Sequence, residues 1–201
     1  MKRKTESKKE LISSTSLKLF VEKGIKGTTT KEIAKKAGIA EGTIYRHFKS
    51  KKDISLKLFI SSMNLFSQAL KDEVRQDDIS EKKLLKLINK FFEFAEKQEL
   101  IYQYVIWGHQ TEFSKLPSNI VAPKDIFIQV IKEGMERGEF KKDDENLAAS
   151  AVIGMMIRTI FFMKQNFIKL KKQEVIKKIQ NYSLNILKAK AFTAMKINEY
   201  F

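Results

Sequence analysis

Residues 28–52 read TTTKEIAKKAGIAEGTIYRHFKSKK, and the spacing within this stretch decides the fold. Thr29 and Glu32 stand at capping-box spacing, where hydroxyl and carboxylate each answer an unpaired N–H of a first helical turn. Ile33, Ala34 and Ala37 then make the inward face of a short helix. Gly38 follows where the chain must turn, and glycine takes the left-handed conformation without steric penalty. A second short helix covers about 41–47, anchored by Ile44 and Phe48. With Thr30 as the first position, Ala34 is fifth, Gly38 ninth and Ile44 fifteenth. A helix-turn-helix needs a small residue where its helices cross, a glycine in the turn and a buried aliphatic on the second helix. All three occur here at those offsets.

Upstream, residues 10–23 (ELISSTSLKLFVEK) place Leu11, Ile12, Thr15, Leu19 and Phe20 on one helical stripe, ended by Gly24 and Gly27. Residues 1–9 are polar and read as frayed. Downstream, a fourth helix is predicted from near Ser50 to about Val74, marked by Ile54, Leu58, Phe59, Met63, Phe66, Leu70 and Val74. Further helices are predicted near 81–97, 99–110, 124–137, 144–167 and 171–189, with loops at Ser114–Pro123 and Gly138–Asp144. Residues 191–201 receive no assignment. Eight Gly and two Pro are few for this length, and no hairpin signal or period-2 run occurs. The expectation is all-α: a three-helix helix-turn-helix module over 1–50 and a helical bundle over 51–201, about nine helices in all.

The net charge is +15, and the excess is uneven. Residues 1–57 hold 16 basic and 6 acidic side chains, net +10; residues 58–201 hold 23 and 18, net +5. The basic block lies over the motif, as a phosphate-binding surface requires. Lysine outnumbers arginine 34 to 5, so a general lysine bias also contributes.

The second helix of such a pair enters the major groove of double-stranded DNA with its early residues at base edges. Here these are Glu41, Gly42, Thr43, Tyr45 and Arg46. Gly42 admits close backbone approach. Thr43 can bond a phosphate or touch a thymine methyl, and Tyr45 offers a ring and a hydroxyl. Arg46 can grip guanine O6 and N7. His47 and Lys51 suit phosphates, as does the Thr29 end of the preceding helix. Glu41 suits a helix N-terminus but is repelled by phosphate; a cytosine N4 contact is its alternative use. Ala40 leaves the second helix without a capping oxygen, a loss of roughly 1 kcal/mol.

On these residues the segment resembles the TetR/AcrR family of transcriptional regulators. The resemblance is carried by Thr28-Thr29, Ile33-Ala34, Ala37-Gly38, Gly42-Thr43-Ile44-Tyr45, Phe48, Ser50 and Lys51, with Leu19-Phe20 and Gly24 upstream. It covers about residues 10–58. It departs at Ala40, where relatives often have Ser or Thr, and at Glu41, where Lys is frequent. The resemblance implies a homodimer, each subunit offering one helix-turn-helix to half of a palindromic operator. It also implies an all-α C-terminal domain that binds a small-molecule effector, and a four-helix dimer interface built from the last two long helices. The implied activity is repression, relieved when the effector moves the two heads apart through the fourth helix.

The C-terminal part is rich in aromatic and Met residues, most of them suited to core packing. Tyr104, Trp107, Met155, Arg158 and Phe162 are the candidates for an apolar effector pocket. Arg158 interrupts the run VIGMMIRTIFFM, where a charge needs a partner. That partner is an acidic side chain or solvent on one reading, and the anionic head of an acyl effector on the other. Ala148, Ala151, Met155 and Thr159 form a stripe of mostly small residues, either a dimer seam or an internal groove.

There is no cysteine, which excludes disulfides, thiol catalysis and Cys-based zinc sites. With His47 and His109 the only histidines, no metal site or other cofactor is expected. No nucleophile–base–orienter set and no phosphate-cradling Gly-rich loop is visible, so no catalytic residue is assigned. The competing readings are an architectural protein that coats DNA without sequence choice and, less favoured, a small-molecule enzyme. The N-terminal residues lack an apolar stretch of signal-peptide length, and Val152–Met163, broken by Arg158, is too short to span a bilayer. A cytoplasmic protein without membrane association is expected.

Overall fold

A computed structural model of the chain describes residues 7–108, 117 and 120–188, with Trp107 and Gly108 described by their backbone alone. The described residues form nine helices and no strand: α1 Lys8–Lys23, α2 Thr30–Ala37, α3 Glu41–His47, α4 Lys51–Lys71, α5 Ser80–Lys97, α6 Glu99–Gly108, α7 Pro123–Glu136, α8 Glu145–Lys164 and α9 Lys172–Lys188. The all-α expectation and its helix order hold. The ends differ where local hydrogen bonds decide them. α1 starts two residues earlier than expected because Ser7 and Glu10 form a capping box. Ser7 Oγ accepts from the Glu10 N–H at 3.2 Å, and the Glu10 carboxylate accepts from the Ser7 N–H at 2.8 Å. α2 makes only half of its expected box. Thr29 Oγ1 accepts from the Glu32 N–H at 3.1 Å, but the Glu32 carboxylate is bonded to the Lys23 ammonium, which holds it below its ordinary pKa. α4 stops at Lys71 rather than Val74, since the Glu73 and Val74 N–H groups turn back to the Leu70 and Lys71 carbonyls. α8 stops at Lys164 rather than near residue 167, where Asn166 takes φ 59°.

The chain packs as two units. The first comprises Met1–Ser67 with Phe94–Val121, the second Gln68–Glu93 with Ala122–Phe201. In the first, Leu19, Phe20, Ile33, Ile44, Phe48 and Phe59 are buried together with Tyr104 of α6. The Tyr104 ring stacks on Phe20 at 6.1 Å and meets Phe59 edge-on at 6.3 Å, and its hydroxyl donates to the Ser55 carbonyl at 3.0 Å. These contacts group much of α4 and all of α6 with the helix-turn-helix. In the second unit, Leu84, Leu87, Ile88 and Phe91 of α5 form a buried core with residues of α7, α8 and α9. Phe91 meets Phe127 edge-on at 6.1 Å.

α8 is apolar along most of its length. By length and composition alone it could cross a membrane, with a mean hydropathy of 1.6 over an 18-residue window, because Leu147–Ala151 extend the short apolar run Val152–Met163. Its Ala148, Ala149, Val152, Met156 and Ile160 are buried, and it packs on α7 and α9. Arg158 sits in its C-terminal half, where a charge opposes burial in hydrocarbon.

One glycine of the second unit is required by close approach. A Cβ on Gly134 would lie 2.2 Å from Cδ2 of Phe140, because the chain after α7 folds back over it. The Glu139 and Phe140 N–H groups both donate to the Gly134 carbonyl, at 2.8 and 3.0 Å. Gly134→Ala should therefore lower stability by about 1–3 kcal/mol, the usual cost of overpacking a filled site. Chemical denaturation measures this, and an unchanged midpoint would contradict the packing described.

Candidate nucleic-acid interface

Three consecutive threonines have three separate tasks. The Thr28 hydroxyl is buried and donates to the Gly24 carbonyl at 2.9 Å, closing the end of α1. Thr29 caps α2. Thr30 reaches across to α3, donating to Glu41 Oε1 at 2.7 Å, while its oxygen lies 3.2 Å from the Tyr45 hydroxyl. A hydroxyl has a single proton to give. With the Thr30 proton committed to Glu41, the Tyr45 hydroxyl donates to Thr30. Glu41 is thus a tie between the first turns of α2 and α3.

Between the helices, Gly38 adopts φ 65°, ψ 35°, and the Ile39 N–H returns to the Ala34 carbonyl at 3.0 Å. Ala34, Ile44 and Phe48 are buried. Ala40 makes no side-chain cap, as its residue type dictates. With Ile44 turned inward, Gly42, Tyr45, Arg46 and His47 are all exposed on the outer side of α3, Tyr45 at 54%. A Cβ at Gly42 would meet nothing within 4 Å. The protein's own packing gives no reason for a glycine there.

The other expected contact residues are partly committed inside the protein. Thr43 is buried, and its hydroxyl accepts from Arg46 Nη2 at 3.0 Å, which lays the guanidinium back along α3. Lys51 Nζ donates to the Thr28 carbonyl at 2.6 Å, bracing the start of α4 against the entry to α2. Thr29 is exposed but its oxygen is occupied by the α2 N-terminus. His47 has no partner among the described residues. Around this surface Lys31, Lys35, Lys49 and Lys52 are exposed and make no ion pair among the described residues. Thr30 and Glu41 form the network that sequence reasoning did not assign. The only sequence signal for it was a polar residue in the first turn of each helix.

The expected effector residues are divided between the two units. Tyr104 is buried in the first unit with its hydroxyl bonded. The Trp107 side chain lies outside the described residues. Met155 and Phe162 are half-buried and Arg158 is exposed, all on α8 in the second unit. The Arg158 guanidinium lies 4.9 Å from both the Phe161 and Phe162 ring centroids, so ring faces rather than a carboxylate accompany its charge. A cavity of about 630 Å³ in the second unit is lined by the α4–α5 region and α7 and by none of these five residues.

Residues 12–58 match the family described as bacterial regulatory proteins, tetR family. The chain is 27% identical over 165 residues to the fatty acid metabolism regulator protein of Bacillus subtilis, covering 80% of this chain and 84% of that one. A bacterial regulatory protein in the tetR family from Rhodococcus RHA1 has the same fold, with a TM-score of 0.79 and 17% identity over 90% of this chain and 98% of that one. The Bacillus subtilis transcriptional regulator FadR, solved with stearoyl-CoA, gives a TM-score of 0.65 and 24% identity over 89% and 97% of the two chains. Over residues 12–58 the chain belongs to the TetR family. As a TetR-family protein it is a DNA-binding transcriptional regulator with a helix-turn-helix at its N-terminal end.

In this TetR-family chain the open space at Gly42 has a measurable consequence. Gly42→Ala should raise the stability of the free protein by up to about 1 kcal/mol, because alanine is the better helix former. The same change should weaken operator binding by about tenfold or more, equivalent to ~1.4 kcal/mol, by placing a methyl against the DNA. Fluorescence anisotropy beside thermal melts tests both; undiminished operator affinity would remove the close-approach role.

Proposed function

We propose that the chain is a sequence-specific repressor released from a palindromic operator by a small, largely apolar effector. The observation that carries this reading is the outer side of α3, where Gly42, Tyr45, Arg46 and His47 are exposed within a lysine-rich surface. On this reading residues 1–50 read DNA and residues 51–201 bind the effector and dimerise. Arg46 reads a base after leaving Thr43, Tyr45 and His47 meet the DNA backbone, and Lys51 and the Thr29 end of α2 face phosphates. The relatives named above are regulators, and we read this chain as one of them rather than as an enzyme. A protein that reads bacterial operators works in the cytoplasm, which is the location we propose.

For the effector, Met155, Arg158 and Phe162 are neighbours on α8 and offer an apolar wall beside a cation. Tyr104 and Trp107 complete the candidate set. The stearoyl-CoA bound by the Bacillus subtilis relative supports an acyl-bearing class of ligand. For the dimer, α8 and α9 carry large apolar side chains on their outer surface: Leu147 at 67%, Phe161 at 44%, Tyr182 at 50% and Ile186 at 47% exposure. Such a surface is what a four-helix interface would cover.

Two measurements test this reading. Arg46→Ala should cost roughly 1–3 kcal/mol at one base position and relax specificity there, whereas Lys51→Ala should weaken binding to all sequences and lower the salt slope by about 1. Equal losses on operator and random DNA for Arg46→Ala would contradict its role. Separately, Phe161→Glu combined with Ile186→Glu should convert a dimer to a monomer in light scattering. A dimer that survives both charges must use another face.

A further inference from the structure

We infer that the cavity between the end of α4, the start of α5 and α7 is a binding site for an oxyanion carried on a compact apolar body. Its wall holds three cationic side chains, Lys71, Lys83 and Arg137, against one carboxylate, Glu133. The Lys83 side chain is only 4% exposed, and its ammonium bonds both oxygens of Glu133, at 2.8 and 2.9 Å. Arg137 Nη2 bonds the same Oε1 at 2.6 Å. One carboxylate therefore serves two cations. Glu139, whose carboxylate accepts the Glu81 N–H at 3.0 Å, acts on Arg137 from outside the wall and offsets part of the remainder. Lys71 has no ion pair among the described residues. The buried Lys83 is matched by Glu133, and the positive charge left over sits on the exposed Lys71 and Arg137 at the rim. A bound carboxylate or phosphate would supply the missing acceptor for Lys71 and for the free N–H groups of Arg137.

The floor is apolar. Ile126 and Val130 are buried, and Val74 is half-buried beside them. At about 630 Å³ the cavity has the size of a small-molecule site. Charge on one wall and hydrocarbon on the floor select an amphipathic anion over an inorganic one. The position also gives the site a consequence, which rests on the ligand-responsive reading above. Lys71 is the last residue of α4, and Lys51, its first, braces the Thr28 carbonyl. An anion that draws in Lys71 acts on the helix that carries this brace.

Calorimetric titration of the full-length protein with hexanoate, hexyl phosphate, hexanol and inorganic phosphate tests the site. At least one hexyl anion should bind saturably, and the tighter of the two identifies the head group. Hexanol and inorganic phosphate should bind at least ~10-fold more weakly. The double variant Lys71→Gln, Arg137→Gln changes only exposed side chains, so its melting temperature serves as the folding control. It should weaken the preferred hexyl anion by ~10-fold or more. Hexanol binding as tightly as the anions, no saturable binding of either anion, or unchanged binding by a folded double variant would overturn the assignment. Operator binding on the same samples separates the two readings. A protein that binds operator specifically and is released by another ligand, yet ignores both hexyl anions, keeps the proposed function and loses this site.

Discussion

Gly38 holds φ 65°, ψ 35° between two short helices, and the outward direction of the exposed α3 side chains follows from that turn. The turn lets the Ile39 N–H close the end of α2 on the Ala34 carbonyl, while the small Ala34 side chain lets α3 come close. Ile44 is then fully buried. Successive residues of a helix are rotated by about 100°. With Ile44 fixed inward, Arg46 and Gly42, two positions on either side, must face away. Thr43 stays at the buried flank. A seven-residue helix has little stability of its own. Its presentation comes from Ile44 and Phe48 in the core and from the Thr30–Glu41–Tyr45 tie across the turn.

The hydrogen bonds at this surface are already made in the free protein. Tyr45 gives its proton to Thr30, Arg46 rests on Thr43, and Lys51 holds the Thr28 carbonyl. Contacts to DNA by these groups would exchange bonds rather than add them, and an exchanged hydrogen bond contributes little net free energy. The sequence-independent part of the affinity must then come from charge, through release of counterions around the phosphates. The exposed lysines 31, 35, 49 and 52 are placed near α3, where they would supply it. The committed groups instead keep α3 ordered in the free protein, which would lower the entropic cost of binding DNA.

The helix-turn-helix was legible because its requirements are local and small in number: a cap at Thr29, a small residue at Ala34, a glycine at 38 and an aliphatic at Ile44. The absent cap at Ala40 could be read from residue type alone. What could not be read depends on partners distant in sequence. Glu32 looked like half of a capping box, but the Lys23 ammonium, nine residues earlier, takes its carboxylate. Lys51 looked like a free phosphate ligand, but a carbonyl 23 residues upstream holds it. Tyr104 lies in an aromatic run that reads equally well as core or pocket, and only its stacking on Phe20 and its bond to Ser55 distinguish the two. The Ser7–Glu10 box was visible as spacing, yet lay within a polar stretch that otherwise reads as frayed.

The acidic residues up to position 57 act mainly on the framework of the first unit. Each described acid up to residue 57 has a structural partner. Glu10 caps α1, Glu22 pairs with Lys36, Glu32 with Lys23, Glu41 with Thr30, and Asp53 with Lys57 and the Lys49 N–H. These exposed pairs contribute little stability individually. Their effect is on position. Glu22 and Glu32 join α1 to α2, and Asp53 caps the turn into α4, so the cations they neutralise belong to the framework. Lysines left without partners among the described residues lie on α1 and the loop after it (Lys8, Lys9, Lys18, Lys26) as well as on α2 and in the segment after α3 (Lys31, Lys35, Lys49, Lys52). Here cancellation falls on the helix junctions, and part of the uncompensated charge, at Lys31, Lys35, Lys49 and Lys52, lies near α3.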